Sequence, residues 1–230
     1  MSSFKETMAP RSHHFQLPVA TTVATVAFEV AAPGGGLFRV VGVVLVALSL
    51  MFTLHASERT STRRNLSAAA IIVALLLGAY GSIVDDAEKI RGIGELMFAV
   101  PVLMVAVNVI RWIGRQPVVT SQSVLGGILV YLLVGLMFAQ IYGGVGDLSS
   151  HDFFCHGGDG TQSDRLYFSF ITITTTGYGD FTPCTQMGHA LAMSEAMFGQ
   201  VYLVTIIALL VGNLGRARVG SRQAAETDDE

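Results

Sequence analysis

The residues best suited to chemistry are Thr174, Thr175, Thr176, Gly177, Tyr178, Gly179 and Asp180, a run of hydroxyls followed by two glycines flanking one aromatic, then a carboxylate. Their chemistry is that of oxygen ligands for a cation. A monovalent ion leaving water for a low-dielectric interior loses on the order of 20 kcal/mol of hydration in the idealised limit, so other oxygens must replace its shell. Backbone carbonyls can do so. Aiming successive carbonyls at one axis requires conformations that L-residues avoid, and Gly177 and Gly179 supply them at little steric cost. Tyr178 is then free to point outward and pack against the helix that precedes it.

That helix is expected over residues 165–173, an apolar stretch about half the length of a membrane span, with Ser163 or Asp164 placed to cap its first turn. It should enter the membrane and stop. Its C-terminal end, carrying roughly half a negative charge, would favour a cation beneath the oxygen-rich run. The rest of the chain is membrane material: 230 residues with 51% hydrophobic and 13% charged side chains, and a mean hydropathy of +0.56. A soluble domain carries about 25% charged residues. Apolar runs cover 16–32, 37–55, 66–84, 93–113, 123–142 and 188–214. They are continuous rather than alternating, so they read as helices, about six in all, and not as barrel strands. The first is interrupted by Thr21, Thr22, Thr25 and Glu29 and ends at Pro33, so it is short, tilted or interfacial. A signal peptide is the alternative, against which Glu29 counts.

Basic residues set the orientation. Arg59, Arg63 and Arg64, then Arg111 and Arg115, then Arg216, Arg218 and Arg222 fall in alternate loops, expected to be cytoplasmic along with both termini. The loops with Asp85, Asp86 and Glu88, and with Asp147, Asp152, Asp159 and Asp164, then lie outside. A net charge of −3 gives no sign of a nucleic-acid partner. Enzyme chemistry is not expected: no Ser/His/Asp set, zinc-binding helix or phosphate loop is present, and His151, Cys155 and His156 are weakly spaced for a metal.

The stretch SDRLYFSFITITTTGYGDFTP at 163–183 resembles the potassium-channel pore signature, a short re-entrant helix leading into a filter of the TVGYG type. The resemblance implies an all-α integral membrane protein with a tetrameric pore, K+ as the transported ion and no cofactor. It assigns the innermost site to the hydroxyl and carbonyl of Thr175, the next ring to the carbonyl of Thr176, and the outer rings to Gly177 and Tyr178, with Gly179 completing the filter. Thr176 departs from the commoner Val, but its side chain should face away from the ion path. Asp180 falls at the outer mouth, there to concentrate cations or anchor the filter by a hydrogen bond. Thr174, Tyr167 and Phe168 take supporting positions. The implied organisation is a cytoplasmic tail at 1–15, a four-helix region at 16–117, a pore domain of outer helix, pore helix, filter and inner helix at 118–216, and a short cytoplasmic tail at 217–230.

On the inner helix Gly199 stands where the family often places a hinge, or else serves close packing. The family's register would turn Gln200, Leu203, Ile207 and Val211 toward the conduction path. Glu195, about one turn earlier, either bonds the back of the pore helix or faces the outer vestibule. A voltage sensor needs several basic residues at helical spacing within the membrane, because each charge gains only about 2.3 kcal/mol per 100 mV. The fourth run offers only Arg111 and Arg115 at its end, with Pro101 expected to kink it, so steep voltage dependence is not expected. Nor is a ligand-sensing module expected after Leu214. A disulfide between Cys155 and Cys184 would clamp the pore loop, against two free thiols or a bridge between subunits. The expectation is a homotetramer in the plasma membrane, with lipids as surroundings and no small-molecule substrate, conducting potassium passively. A weakly selective cation channel and a non-conducting scaffold subunit are the competing readings.

Overall fold

The structure is a computed structural model that describes residues 15–31, 36–57, 88–116, 118–156 and 158–213, together with scattered helical positions between 65 and 76. The third apolar run therefore lies mostly outside the described residues, as do both tails. Six helices are described in full: α1 (Gln16–Ala31), α2 (Gly36–Ser57), α3 (Glu88–Gly114), α4 (Ser121–Leu148), α5 (Gln162–Ile173) and α6 (Gln186–Tyr202). The last continues through a π-helical turn, Leu203–Ile207, and on to Asn213. Among the described residues, Lys89–Gly114, Ser121–Leu148 and Gln186–Asn213 are long and apolar enough to cross a membrane.

The helices are arranged as lipid requires. On α1 the inward stripe is Pro18, Thr22, Thr25 and Glu29, while Leu17, Val23 and Val30 are exposed. This inverts the soluble pattern, because lipid solvates the apolar side and polar groups must find partners inside the protein. Thr22 and Ser49 of α2 share a hydrogen bond of 2.5 Å, and Thr25 reaches the Leu45 carbonyl at 3.5 Å. Helix α3 continues through Pro101 and lies along α4 of its own chain. The two are joined by only a few residues, and Thr120 caps α4 in a capping box with Ser123. α1 also packs on α4 and on α5. One apolar core, including Leu50, Val105, Leu129, Leu133, Leu166 and Ile173, runs from α1 to α5.

α5 begins three residues before the expected Arg165. Thr161 is its N-cap, accepting from Asp164 N, while the Asp164 carboxylate accepts from Thr161 N at 2.8 Å. Asp164 thus serves the first turn as the closing residue of a capping box rather than as the cap itself. At 12 residues the helix is too short to span. The loop before it is stitched to the segment after the oxygen-rich run. A single antiparallel bridge pairs Phe154 with Pro183, and a disulfide joins Cys155 to Cys184 with Cα atoms 4.7 Å apart. That bond closes a loop of sequence separation 29, which corresponds to about 2–4 kcal/mol of stabilisation. Replacing both cysteines by serine should lower the thermal stability of the purified protein by that order, read as an earlier unfolding transition.

Candidate ion-conduction site

The stretch 174–180 leaves α5 without forming any regular element. Its backbone alternates: Thr175, Gly177 and Gly179 have φ of +56°, +53° and +81°, whereas Thr176 and Tyr178 stay in the ordinary half of the map. Alternation between left- and right-handed conformations makes successive peptide groups face the same way. The amides turn back into the protein. Thr176 N and Gly177 N both donate to the Ile171 carbonyl, at 2.8 and 3.1 Å, and Thr175 N donates to the Thr172 carbonyl at 2.9 Å. The N–H groups of Thr175, Thr176 and Gly177 are thus committed to the end of α5, which leaves the peptide oxygens of the stretch as its free ligands. That row of oxygens can replace water around a dehydrated cation.

The positive φ of Thr175 is the feature that sequence reasoning missed. A β-branched residue at positive φ is a genuine outlier, and such strain is held only where surrounding structure over-determines it. The available signal was the two-residue spacing, since a position two before Gly177 and four before Gly179 shares their alternation. Thr174 caps α5, its hydroxyl donating to the Phe170 carbonyl at 2.6 Å. It also lies 2.8 Å from the Thr176 hydroxyl, so the two side chains are engaged with each other.

Around this stretch the structure assembles a brace. Tyr167 donates to Asp180 at 2.8 Å, and Phe181 N donates to the other carboxylate oxygen at 3.1 Å. Phe168 is buried among Tyr142, Phe153 and Phe154, with ring centroids 5.1 to 6.3 Å away. Tyr131 of α4 donates to the Ile173 carbonyl at 2.9 Å. Glu195 is fully buried, accepting from the Tyr142 hydroxyl and lying 2.5 Å from the Ser169 hydroxyl of α5. Of the two situations open to Glu195, the structure places it behind α5. Ser169 also lies 2.7 Å from the Gly135 carbonyl. One hydroxyl hydrogen cannot serve both acceptors fully, and a hydrogen on the Glu195 carboxyl would complete the set.

Tyr178 is 72% exposed in the single chain. Gly199 is a packing glycine: a Cβ there would collide with the Ile173 carbonyl and side chain. The irregularity in α6 lies instead at the π turn that follows, which adds a residue to one turn and rotates everything beyond it. Gln200, Leu203 and Val211 are exposed, but Ile207 is half-buried and approaches Gly127 of α4 together with Leu210. Ile207 is thus the least exposed of the four in the single chain. Tyr202 fixes the same contact by donating to the Gly127 carbonyl at 2.8 Å. Among the described residues no group of three His, Cys, Asp or Glu side chains is placed to hold a metal, and Cys155 is committed to its disulfide.

The family model described as "Ion channel" matches residues 126–215. Over 46 residues the chain is 54% identical to "Probable potassium channel protein 2" of Methanocaldococcus jannaschii, covering 19% of this chain and 13% of that protein. Over 55 residues it is 42% identical to "Potassium voltage-gated channel subfamily KQT member 4" of Homo sapiens, 24% of this chain and 7% of that one. Residues 126–215 thus match an ion-channel family model, and part of the chain is similar to proteins named as potassium channels. The chain spans only those small fractions of the curated relatives it matches. As in an all-helical membrane channel, the channel segment here comprises two long apolar helices, α4 and α6, holding between them a short one and an irregular, oxygen-rich strand.

Proposed function

We propose that the chain forms a homotetrameric, potassium-selective channel that conducts K+ passively across the plasma membrane and is not an enzyme. The observation that carries this reading is the alternating backbone at Thr175, Gly177 and Gly179, directly after a half-length helix. A single strand presents carbonyls on one side only, so four copies are needed to surround an ion. Thr175, Thr176, Gly177 and Tyr178 supply the carbonyl rings, Gly179 the final turn and Asp180 the outer mouth. Thr174, Tyr167, Phe168 and Glu195 support them. The exposure of Tyr178 fits a ring that meets a neighbouring subunit rather than its own helix.

In this arrangement six helices cross the membrane in each chain, both termini are cytoplasmic, and the four helices of 16–117 act as a scaffold without gating charges. In α3 the described arginines are Arg91 near one end and Arg111 in the last turn, with none between, so conductance should vary little with voltage. Gln200, Leu203, Ile207 and Val211 line the inner path below the filter. Proteoliposomes under a potassium gradient test the reading. The expected result is K+ flux that stops when Na+ replaces K+. Equal flux with Na+ would support a weakly selective channel instead, and absence of flux from a protein of monomer or dimer mass would support a scaffold subunit.

A further inference from the structure

Behind the N-terminal half of α5 sits an ionic cluster that the filter itself does not use. Arg165 is 6% exposed. Its Nη1 donates to both Glu95 carboxylate oxygens of α3 at 3.0 and 3.2 Å, its Nη2 to Asp147 of α4 at 3.3 Å, and its Nε to the Asp159 carbonyl at 3.0 Å. Asp147 also accepts two bonds from Arg91 of α3, at 2.6 and 2.7 Å. The backbone around the cluster makes room for it. A Cβ on Gly143 would collide with Glu95 and Arg165, and one on Gly92 would lie 2.9 Å from Asp147. Two guanidinium groups and two carboxylates thus neutralise one another where a lone buried charge would be untenable.

We infer that Arg165 is a positioning residue for the filter, through which Glu95 of α3 and Asp147 of α4 fix the axial height and tilt of α5. The inference rests on the channel reading above. Geometry supports it at both ends. Arg165 stands in the first turn of α5, while Ile171 and Thr172 at the other end accept the amides of Thr175, Thr176 and Gly177. A rotation of so short a rod about its far end displaces the carbonyl row directly. The planar, forked guanidinium matters because it holds three partners at once, a geometry that an ammonium cannot reproduce. α3 is thereby linked to the ion path without any charge moving through the membrane field.

The test is the K+/Na+ permeability ratio of the full-length channel in planar bilayers, read from reversal potentials, with tetramer content measured on the same preparations. Glu95→Gln keeps shape but removes the charge, and should lower the ratio by about 2- to 30-fold in an intact tetramer, the range expected for coupled sites. Glu95→Asp, which keeps the charge, should recover most of the ratio. Arg165→Lys guards against misfolding of the first variant and should give a reduced ratio in an assembled tetramer. Wild-type selectivity with Gln at 95 and with Lys at 165, both tetrameric, would overturn the inference while leaving the channel reading in place. A wild-type protein that discriminates no cations would overturn the channel reading first.

Discussion

Gly177→Asp should assemble into tetramers that no longer discriminate K+ from Na+. Gly177 has φ of +53°, and a Cβ there meets nothing within 4 Å in the single chain, so the fold of one subunit tolerates the change. Asp is among the residues that visit the left-handed region, where an L-residue costs about 1–2 kcal/mol. The damage arises on assembly. In the proposed tetramer the open space beside Gly177 would be shared by four subunits around the ion path, and filling it would place a ring of carboxylates among the carbonyls. Loss of as little as ~2.7 kcal/mol of discrimination is a hundredfold change in relative rate. The measurement is paired K+ and Na+ flux with size-exclusion mass on the same sample. Undiminished potassium selectivity in the variant would contradict the assignment of Gly177 to the filter.

Glu195→Ala should cost nearly as much, and Glu195→Gln very little. Removing the carboxyl leaves the Tyr142 hydroxyl without its acceptor in a fully buried environment, while Ser169 keeps only the Gly135 carbonyl. Each unsatisfied buried group costs about 1–3 kcal/mol, and the loss occurs once in every subunit. Gln retains a carbonyl oxygen for Tyr142 and offers an N–H toward Ser169, as the hydrogen count around Ser169 and Gly135 asks. The check is tetramer melting temperature together with K+ flux. Ala is expected to lower both and Gln to keep both near wild type. If Gln is as damaging as Ala, the charge of Glu195 matters rather than its place in the hydrogen-bond set.

Much of the pore was legible because membrane constraints act on residue type directly. The long apolar runs, the half-length helix and the Gly-Tyr-Gly spacing follow from lipid thickness and from backbone sterics, both local properties. What the sequence hid was relational. Arg165 looked like a residue at the mouth of a helix, and only the approach of α3 and α4 makes it the hub of four charged groups. Tyr131 and Tyr202 each donate to a carbonyl on another helix, a pairing that residue type alone does not reveal. The π turn at Leu203–Ile207 is not legible from residue type, and a register projected along a uniform α-helix does not anticipate it. At Gly199 the sequence offers two roles, and the close approach to Ile173 supports packing. The third apolar run remains legible from its composition alone.

The most direct test of the central claim is an electron-density map of the purified protein, prepared once in K+ and once with thallium(I) as a heavier stand-in ion. A fourfold assembly with ion peaks stacked on its axis, ringed by the carbonyls of Thr175, Thr176, Gly177 and Tyr178, is the expected result. A chain whose 174–180 segment lies away from any symmetry axis, with no ion density beside it, would contradict the account.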